Sequence, residues 1–351
     1  MTETATTPAA PATARRPRRV PPNFLAISFG IAGLGETWLV ARPALSLPPA
    51  VPDVFLAVCA LVWVVLVGLY VAQGWARIWA DLRDPILAPF TSLAVITPMI
   101  PGVALAQANL TAGRVVVCVF AAATVALGGW LTGQWVVGDL DQATAHPGYF
   151  LPTVAGGLVG AGSLAEVHLR ALSEGMFGIG LLCWFLLGSL VLNRLFFSRA
   201  LPAPLLPTLA IELAPPAVGG IAWFALNGGH IDLGARVLGA YTVLMVLVQL
   251  RFLPLFLKLH FSPGFWAFTF SYAAAVSDAI VWIRAGSGPG GKALTIALLV
   301  VITGFVGVIA VRTARLAARG QLLPSPPAPT GPAAPAGPTA GSPRPVSGGS
   351  R

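Results

Sequence analysis

Residues 149–197 read YFLPTVAGGLVGAGSLAEVHLRALSEGMFGIGLLCWFLLGSLVLNRLFF. Two apolar runs follow one another here with only a short polar interruption. At 1.5 Å of rise per residue, about 20 residues cross the roughly 30 Å hydrocarbon core of a bilayer, so each run is long enough to span. A connection this short makes them an antiparallel hairpin. The first run holds Pro152 and the small-residue pair Gly156 and Gly160, whose spacing permits close backbone approach; the second holds no proline.

Working outward with a window of roughly 19 residues, the same reading gives ten spans, at about 23–41, 52–74, 86–106, 113–137, 149–171, 174–197, 205–226, 233–256, 264–284 and 291–313. Of all residues, 56 % are apolar and 9 % charged, against the roughly 25 % charged of a soluble domain. The chain is therefore an all-α polytopic membrane protein, and its short loops make it five helical hairpins. The first 19 residues, rich in Thr, Ala and Pro, and residues 319–351, rich in Pro, Gly and Ser, cannot build a core and are expected to be disordered tails. Between them lies the membrane domain, residues 20–318. Arg15 and Arg16 resemble a twin-arginine signal only superficially, so the first apolar segment is expected to be retained.

The net charge of +9 reflects topology. With the N-terminus in the cytoplasm, thirteen Lys and Arg fall on the cytoplasmic side and six outside, Arg344 and Arg351 being too far from a helix to count. Ten spans then leave both termini in the cytoplasm of a cell-membrane protein. The basic excess is not a nucleic-acid site. Cys59, Cys118 and Cys183 each sit inside an even span with no disulfide or metal-ligand spacing, and the four histidines are scattered; no metal or cofactor is called for. No G-x-S-x-G, HExxH, P-loop or dinucleotide fingerprint occurs. A membrane-embedded enzyme using Glu212, His146 or Asp278 as acid–base groups is a minor alternative.

Prolines favour the odd spans: Pro98 and Pro101 in span three, Pro152 in span five, Pro215 and Pro216 in span seven, with Pro254 the marginal exception in an even one. Proline removes an intrahelical hydrogen bond, and inside a bilayer the freed group must be met by protein or by a water-filled cavity. Five inner odd helices lining a pore, with five even helices around them, accommodate that pattern. Span one carries Gly30, Gly33 and Gly35 instead of proline, a source of flexibility.

Three strings carry a family resemblance: Phe265-Trp266-Ala267-Phe268-Thr269-Phe270 at the start of span nine, His146-Pro147-Gly148-Tyr149-Phe150-Leu151-Pro152 leading into span five, and Pro22-Asn23-Phe24 before span one. With Ala214-Pro215 they resemble the tellurite-resistance/dicarboxylate transporter family, in particular TehA-type anion channels related to plant slow anion channels, over approximately Pro22 to Leu316. The resemblance implies a homotrimer in which each protomer holds its own pore, in a pseudo-fivefold arrangement of hairpins, and a phenylalanine gate that by the aromatic match is Phe270. It implies small inorganic anions or organic acids as substrates. A ring across a narrow pore blocks hydrated ions sterically and dewets the constriction. Ser28 stands where TehA-like chains often place proline.

Glu36, Glu212 and Asp278 lie on the inner spans, and Glu166 lies near the end of span five. A carboxylate at a helix centre costs roughly 2.5 to 3.5 kcal/mol on insertion scales, so it usually faces water or a partner. Glu36 and Asp278 fall at similar depth, about 20 Å from the cytoplasmic ends. Two readings stay open: structural groups in a passive channel, or proton acceptors in a proton-coupled carrier of C4-dicarboxylate, malic acid or sulfite. No Lys or Arg lies in the middle of an inner span, so selectivity is expected from amide dipoles and half-helix N-termini.

Overall fold

The computed structural model describes residues 19–138 and 140–323. The expected tails lie almost wholly outside the described residues. Among the described residues there is no strand, and ten helical stretches are long and apolar enough to cross a membrane: Pro22–Leu45, Ala50–Val71, Ala88–Ala108, Leu110–Val137, Pro147–Glu166, Arg170–Phe197, Ala203–Leu226, Leu233–Phe256, Pro263–Gly286 and Gly291–Ala318. These are spans one to ten.

Inner and outer roles separate by burial. In the most apolar stretch of each odd span 56 to 83 % of residues are buried, against 17 to 33 % in the even spans. Span one packs on span nine, nine on seven, seven on five, five on three, and three back on one, closing a ring. Each even span packs against the odd span before it and the next odd span round the ring, with span ten between nine and one. The even helices keep apolar side chains such as Leu61, Val119, Leu186, Leu247 and Val301 exposed, as a helix facing hydrocarbon does.

The odd spans are irregular and the prolines say why. Span three breaks into Ala88–Thr91, Leu93–Ile96 and Met99–Ala108; Pro98 caps the last piece and Pro101 stands in its first turn. Span five starts as a 3-10 turn, Pro147–Phe150, passes through a π-helical turn, Leu151–Ala155, containing Pro152, and becomes α-helical at Gly156. Span seven is a 3-10 helix over Ala203–Leu213 and α-helical from Ala214, so Pro215 and Pro216 open its α portion. A first-turn N–H has no acceptor within its own helix, so proline costs little there. The prolines thus mark joins between helical segments rather than bends in one continuous helix. Hydroxyls bond back to carbonyls inside the broken stretches: Thr91 Oγ1 donates to Ala88 O (2.6 Å), Ser92 Oγ to Pro89 O (2.6 Å) and Thr97 Oγ1 to Leu93 O (2.7 Å).

Span one, by contrast, is a continuous α-helix from Ala26 to Leu45, and its glycines act by close packing rather than by flexibility. A Cβ on Gly30 would overlap the Thr269 hydroxyl, one on Gly33 would sit 2.9 Å from Phe270 Cδ2, and one on Gly35 2.5 Å from Leu56 Cδ2. In span five, Gly156 meets Thr124 of span four and Gly160 meets Met176 of span six, but the tightest backbone crossing is Gly157 against Gly180 of span six, where a Cβ would lie 2.5 Å from the amide nitrogen. A further helix of nine residues, Trp75–Arg83, which the span reading does not contain, lies between spans two and three.

Candidate functional site: two cavities inside the ring of odd spans

All five odd spans contribute to two cavities inside the ring. The larger, about 960 Å³, lies among their C-terminal turns and opens outward as a vestibule; Glu36 and Arg42 line it from span one, Gln107 from three, Glu166 from five, Phe224 from seven and Arg284 from nine. The smaller, about 40 Å³, lies toward their N-terminal ends and is walled by Phe29, Phe90, Phe150, Pro215, Trp266 and Phe270, among others. Ser271 is the one polar side chain in that wall, and its hydroxyl is already engaged with Ala267 O. A cavity with such apolar walls stays dry. The two cavities share no lining residue.

Phe270 is part of the wall of the smaller cavity. Its ring stacks on Phe29 of span one, with centroids 3.7 Å apart and planes inclined by 17°, and both residues are only 4 % exposed. Gly33 leaves the space into which Phe270 fits. Trp266, four residues earlier, fixes the start of the helix by donating from Nε1 to Thr313 Oγ1 of span ten (2.9 Å). Thr37, also on span one, ties spans one and nine together above the ring: it donates to Gly33 O (2.9 Å) and receives the Ser277 hydroxyl (2.9 Å). Ala273 and Ala274 follow Phe270, both buried, so little side-chain bulk stands between the ring and the vestibule on span nine.

The carboxylates fall apart spatially. Glu36 faces the vestibule with Glu166. Asp278 lines neither cavity; it lies against Gly220 of span seven, where a Cβ would come within 2.5 Å of Oδ1, and near Thr242 of span eight. Glu36 and Asp278, placed at similar depth by the sequence, therefore do not share a cavity: equal depth does not bring together side chains that leave their helices in different directions. Glu212 is buried outside both cavities, near Tyr241 of span eight. Glu212 Oε1 and Asp278 Oδ1 have no hydrogen-bond partner. Pro98, Pro152 and Pro216 are buried at the joins of the inner helices, Pro101 is half-buried, and Pro215 lines the small cavity.

Two arginines stand with Glu36 and Glu166 in the vestibule lining. Arg42 Nη1 donates to Gln107 Oε1 (2.6 Å) and Arg284 Nη1 to Val40 O (3.3 Å), each keeping further N–H groups for other acceptors. His146, just ahead of span five, is fully buried. Its Nδ1 accepts from Gly148 N–H (3.1 Å), so Nε2 carries the proton and donates to Ile86 O (3.2 Å). Burial pushes its pKa down to about 4, the Ile86 bond opposing the shift. With both nitrogens engaged and Phe90 stacked on the ring, His146 is a helix cap and not an acid–base group. Among the described residues no cluster of His, Cys, Asp or Glu is arranged to hold a metal.

Sequence reasoning missed Phe29. Only its spacing from Gly33 could have suggested it: one turn apart, they present a ring and a gap to the same neighbour. Arg42 and Arg284 stand in the last turns of spans one and nine, and their convergence needs the ring to be closed.

Comparison with known proteins bears on this arrangement. The family model described as SLAC1, voltage-dependent anion channel, matches residues 19–314. The chain is 25 % identical over 310 residues to the tellurite resistance protein TehA homolog of Haemophilus influenzae, covering 87 % of this chain and 93 % of that one. It is 26 % identical over 183 residues to the guard cell S-type anion channel SLAC1 of Arabidopsis thaliana, covering 52 % of this chain and 33 % of the plant protein. The S-type anion channel SLAH2 of the same plant is 30 % identical over 168 residues, or 47 % and 32 %. The match to the family model takes in all five hairpins and both members of the aromatic pair, and on that ground the chain belongs to the SLAC1 voltage-dependent anion channel family.

Proposed function

We propose that this protein conducts small anions, inorganic or organic, across the cell membrane through the axial path inside the odd-span ring, and that Phe270 is its gate. The observation that supports this reading is the stacked Phe29–Phe270 pair in the wall of a small apolar cavity, with a vestibule lined by the same five helices. Water on the vestibule side and an apolar pocket on the other leave the stacked rings as the barrier. A hydrated anion passes only when the Phe270 ring turns away. Names of relatives, the anion channels among them, point the same way.

Selectivity is set in two stages. Arg42 and Arg284 concentrate anions at the mouth, and beyond them the inner spans offer no fixed cation to trap one, which favours throughput over tight capture. Helix N-termini at the joins near Met99, Gly156 and Ala214 supply a weak positive field along the way. A proton-coupled carrier, in which one of Glu36, Glu212 or Asp278 takes a proton with each substrate, is the less favoured reading, since Glu212 and Asp278 line neither cavity. In this reading three copies assemble with a pore each, the five hairpins are related by an approximate fivefold rotation, and both termini lie in the cytoplasm.

The test is reconstitution with current recording for chloride, nitrate, sulfite and malate, wild type against Phe270→Ala. Current through the variant should rise well above wild type for at least one of these anions. A folded Phe270→Ala protein that conducts no better than wild type for any of them removes the gate.

A further inference from the structure

The helix Trp75–Arg83 plays no part in the axial path, yet it is built with care. Gly74, at φ +90°, turns the chain out of span two. The inward side of the helix is held by Leu82, packed with Ala88 and Leu131, and by Gln134 of span four, whose Nε2 donates to Leu82 O (2.8 Å). Its single acid, Asp81, is 1 % exposed; it receives the Tyr70 hydroxyl (3.2 Å) and pairs with Arg19. The helix therefore spends its negative charge inward.

What remains outward is aromatic and basic. Trp75 is 68 % exposed, and Arg77 and Arg83 are exposed. Trp79 stacks between Trp75 and Trp130, at 5.8 and 5.4 Å between ring centroids, and the Arg83 guanidinium lies 4.5 Å over the Trp79 ring. Among the described residues, Asp84 Oδ1 accepts from Ile86 and Leu87 N–H, and Asp141 Oδ1 from Ala143 N–H. Indole rings settle at the boundary between headgroups and acyl chains, and guanidinium matches phosphate geometry. Charge decides what covers this face. The chain's own ends carry Arg15, Arg16, Arg18, Arg344 and Arg351 with Glu3 as the one acid beyond the described termini, so neither complements a basic surface. A second copy meeting it face to face would set arginine against arginine.

We infer that the outward face of Trp75–Arg83 is a binding site for an anionic phospholipid headgroup, Arg77 and Arg83 taking the phosphate while Trp75 and Trp79 lie at the acyl boundary. The full-length protein is reconstituted in phosphatidylcholine vesicles containing brominated phosphatidylglycerol, or brominated phosphatidylcholine at the same fraction, and tryptophan quenching is titrated. Quenching by the anionic lipid should saturate at lower mole fraction than quenching by the neutral one. That preference should weaken with salt and lose about fivefold per arginine in Arg77→Gln and Arg83→Gln. Trp75→Phe should remove part of the quenching amplitude, and Arg236→Gln at the opposite end should change nothing. Equal quenching by the two lipids, or an unchanged preference in the double arginine variant, overturns the inference. So does a double variant that alters only the oligomeric mass, which would make this face a contact between copies.

Discussion

Phe29 gives the sharpest test of the gate, because its expected effect is graded. In the closed path its ring lies parallel to Phe270 at 3.7 Å, and the Phe270 ring cannot leave the axis without giving up that stack. Aromatic pairs contribute about 0.5 to 1.5 kcal/mol beyond area burial. If the open state forfeits this, Phe29→Ala shifts the closed–open equilibrium by the same amount, a rise in open probability of roughly 2- to 13-fold. Truncating a buried phenylalanine also costs stability, about 3 to 5 kcal/mol, so Phe29→Leu, which keeps most of the volume and loses the ring face, is run beside it. Single-channel recording in planar bilayers reads open probability and unit conductance separately. Phe29→Leu should raise the first within that range and leave the second near the Phe270→Ala value. A Phe29→Leu protein that is folded and has wild-type open probability would show that the stack does not hold the gate; one that is permanently open would show that Phe29, not Phe270, is the plug.

Gly33→Val places a Cβ 2.9 Å from Phe270 Cδ2 and 3.3 Å from its Cα, so the ring must move by several tenths of an ångström and leak current should rise, while Gly68→Ala, where a Cβ meets open space, should leave current unchanged. In a Phe270→Ala background Glu36→Gln removes a negative charge from the vestibule wall; at about 8 Å in water a unit charge acts on a passing anion with about 0.5 kcal/mol, so anion conductance should roughly double at low salt and converge with the parent at high salt. His146 has its folded pKa lowered to about 4 from 6.5, so below 6.5 the unfolded chain binds the proton that the folded one refuses. Stability is therefore complete above pH 6.5 and falls between 6.5 and 4, by something of the order of 3 kcal/mol; thermal unfolding in detergent should show this loss, and His146→Gln should flatten it.

What the sequence revealed and what it hid divide along physical lines. Span count and type rest on hydropathy, which depends on local composition alone, and all ten appear within a few residues of their expected ends. The odd–even split followed from prolines because a broken helix needs neighbours to satisfy its backbone, and Pro98, Pro152 and Pro215 are indeed enclosed. Direction around each helix was another matter. Glu36 and Asp278 stand at similar depth, but one faces the vestibule and the other Gly220, and depth carries no azimuth. Phe29 was hidden because the chain holds eighteen phenylalanines and only the span-one to span-nine packing singles it out. The helix Trp75–Arg83 has too few apolar residues to register in a 19-residue window, although its Trp-Ala-Arg-Ile-Trp pattern is amphipathic. The glycines of span one were read as flexible because a glycine's partner lies on another helix.

Irregular inner helices and a weakly binding path have one cause. A continuous α-helix satisfies its backbone internally and offers a lumen only side chains. Where span three breaks at Ser92 and Thr97–Pro98, and where spans five and seven change pitch before Gly156 and Ala214, new helical segments begin, and in the proposed reading their N-terminal dipoles supply partial positive charge. Such partial charges lower the barrier for an anion by less than an arginine would, but they also hold it less. Placing Arg42 and Arg284 at the mouth and none between them and the rings therefore separates attraction from passage. Moving a cation inward, as in Gly162→Arg on the vestibule wall, should tighten anion binding and slow conduction together, with current saturating at lower anion concentration. A faster Gly162→Arg channel with unchanged saturation would mean that dipoles do not limit the rate.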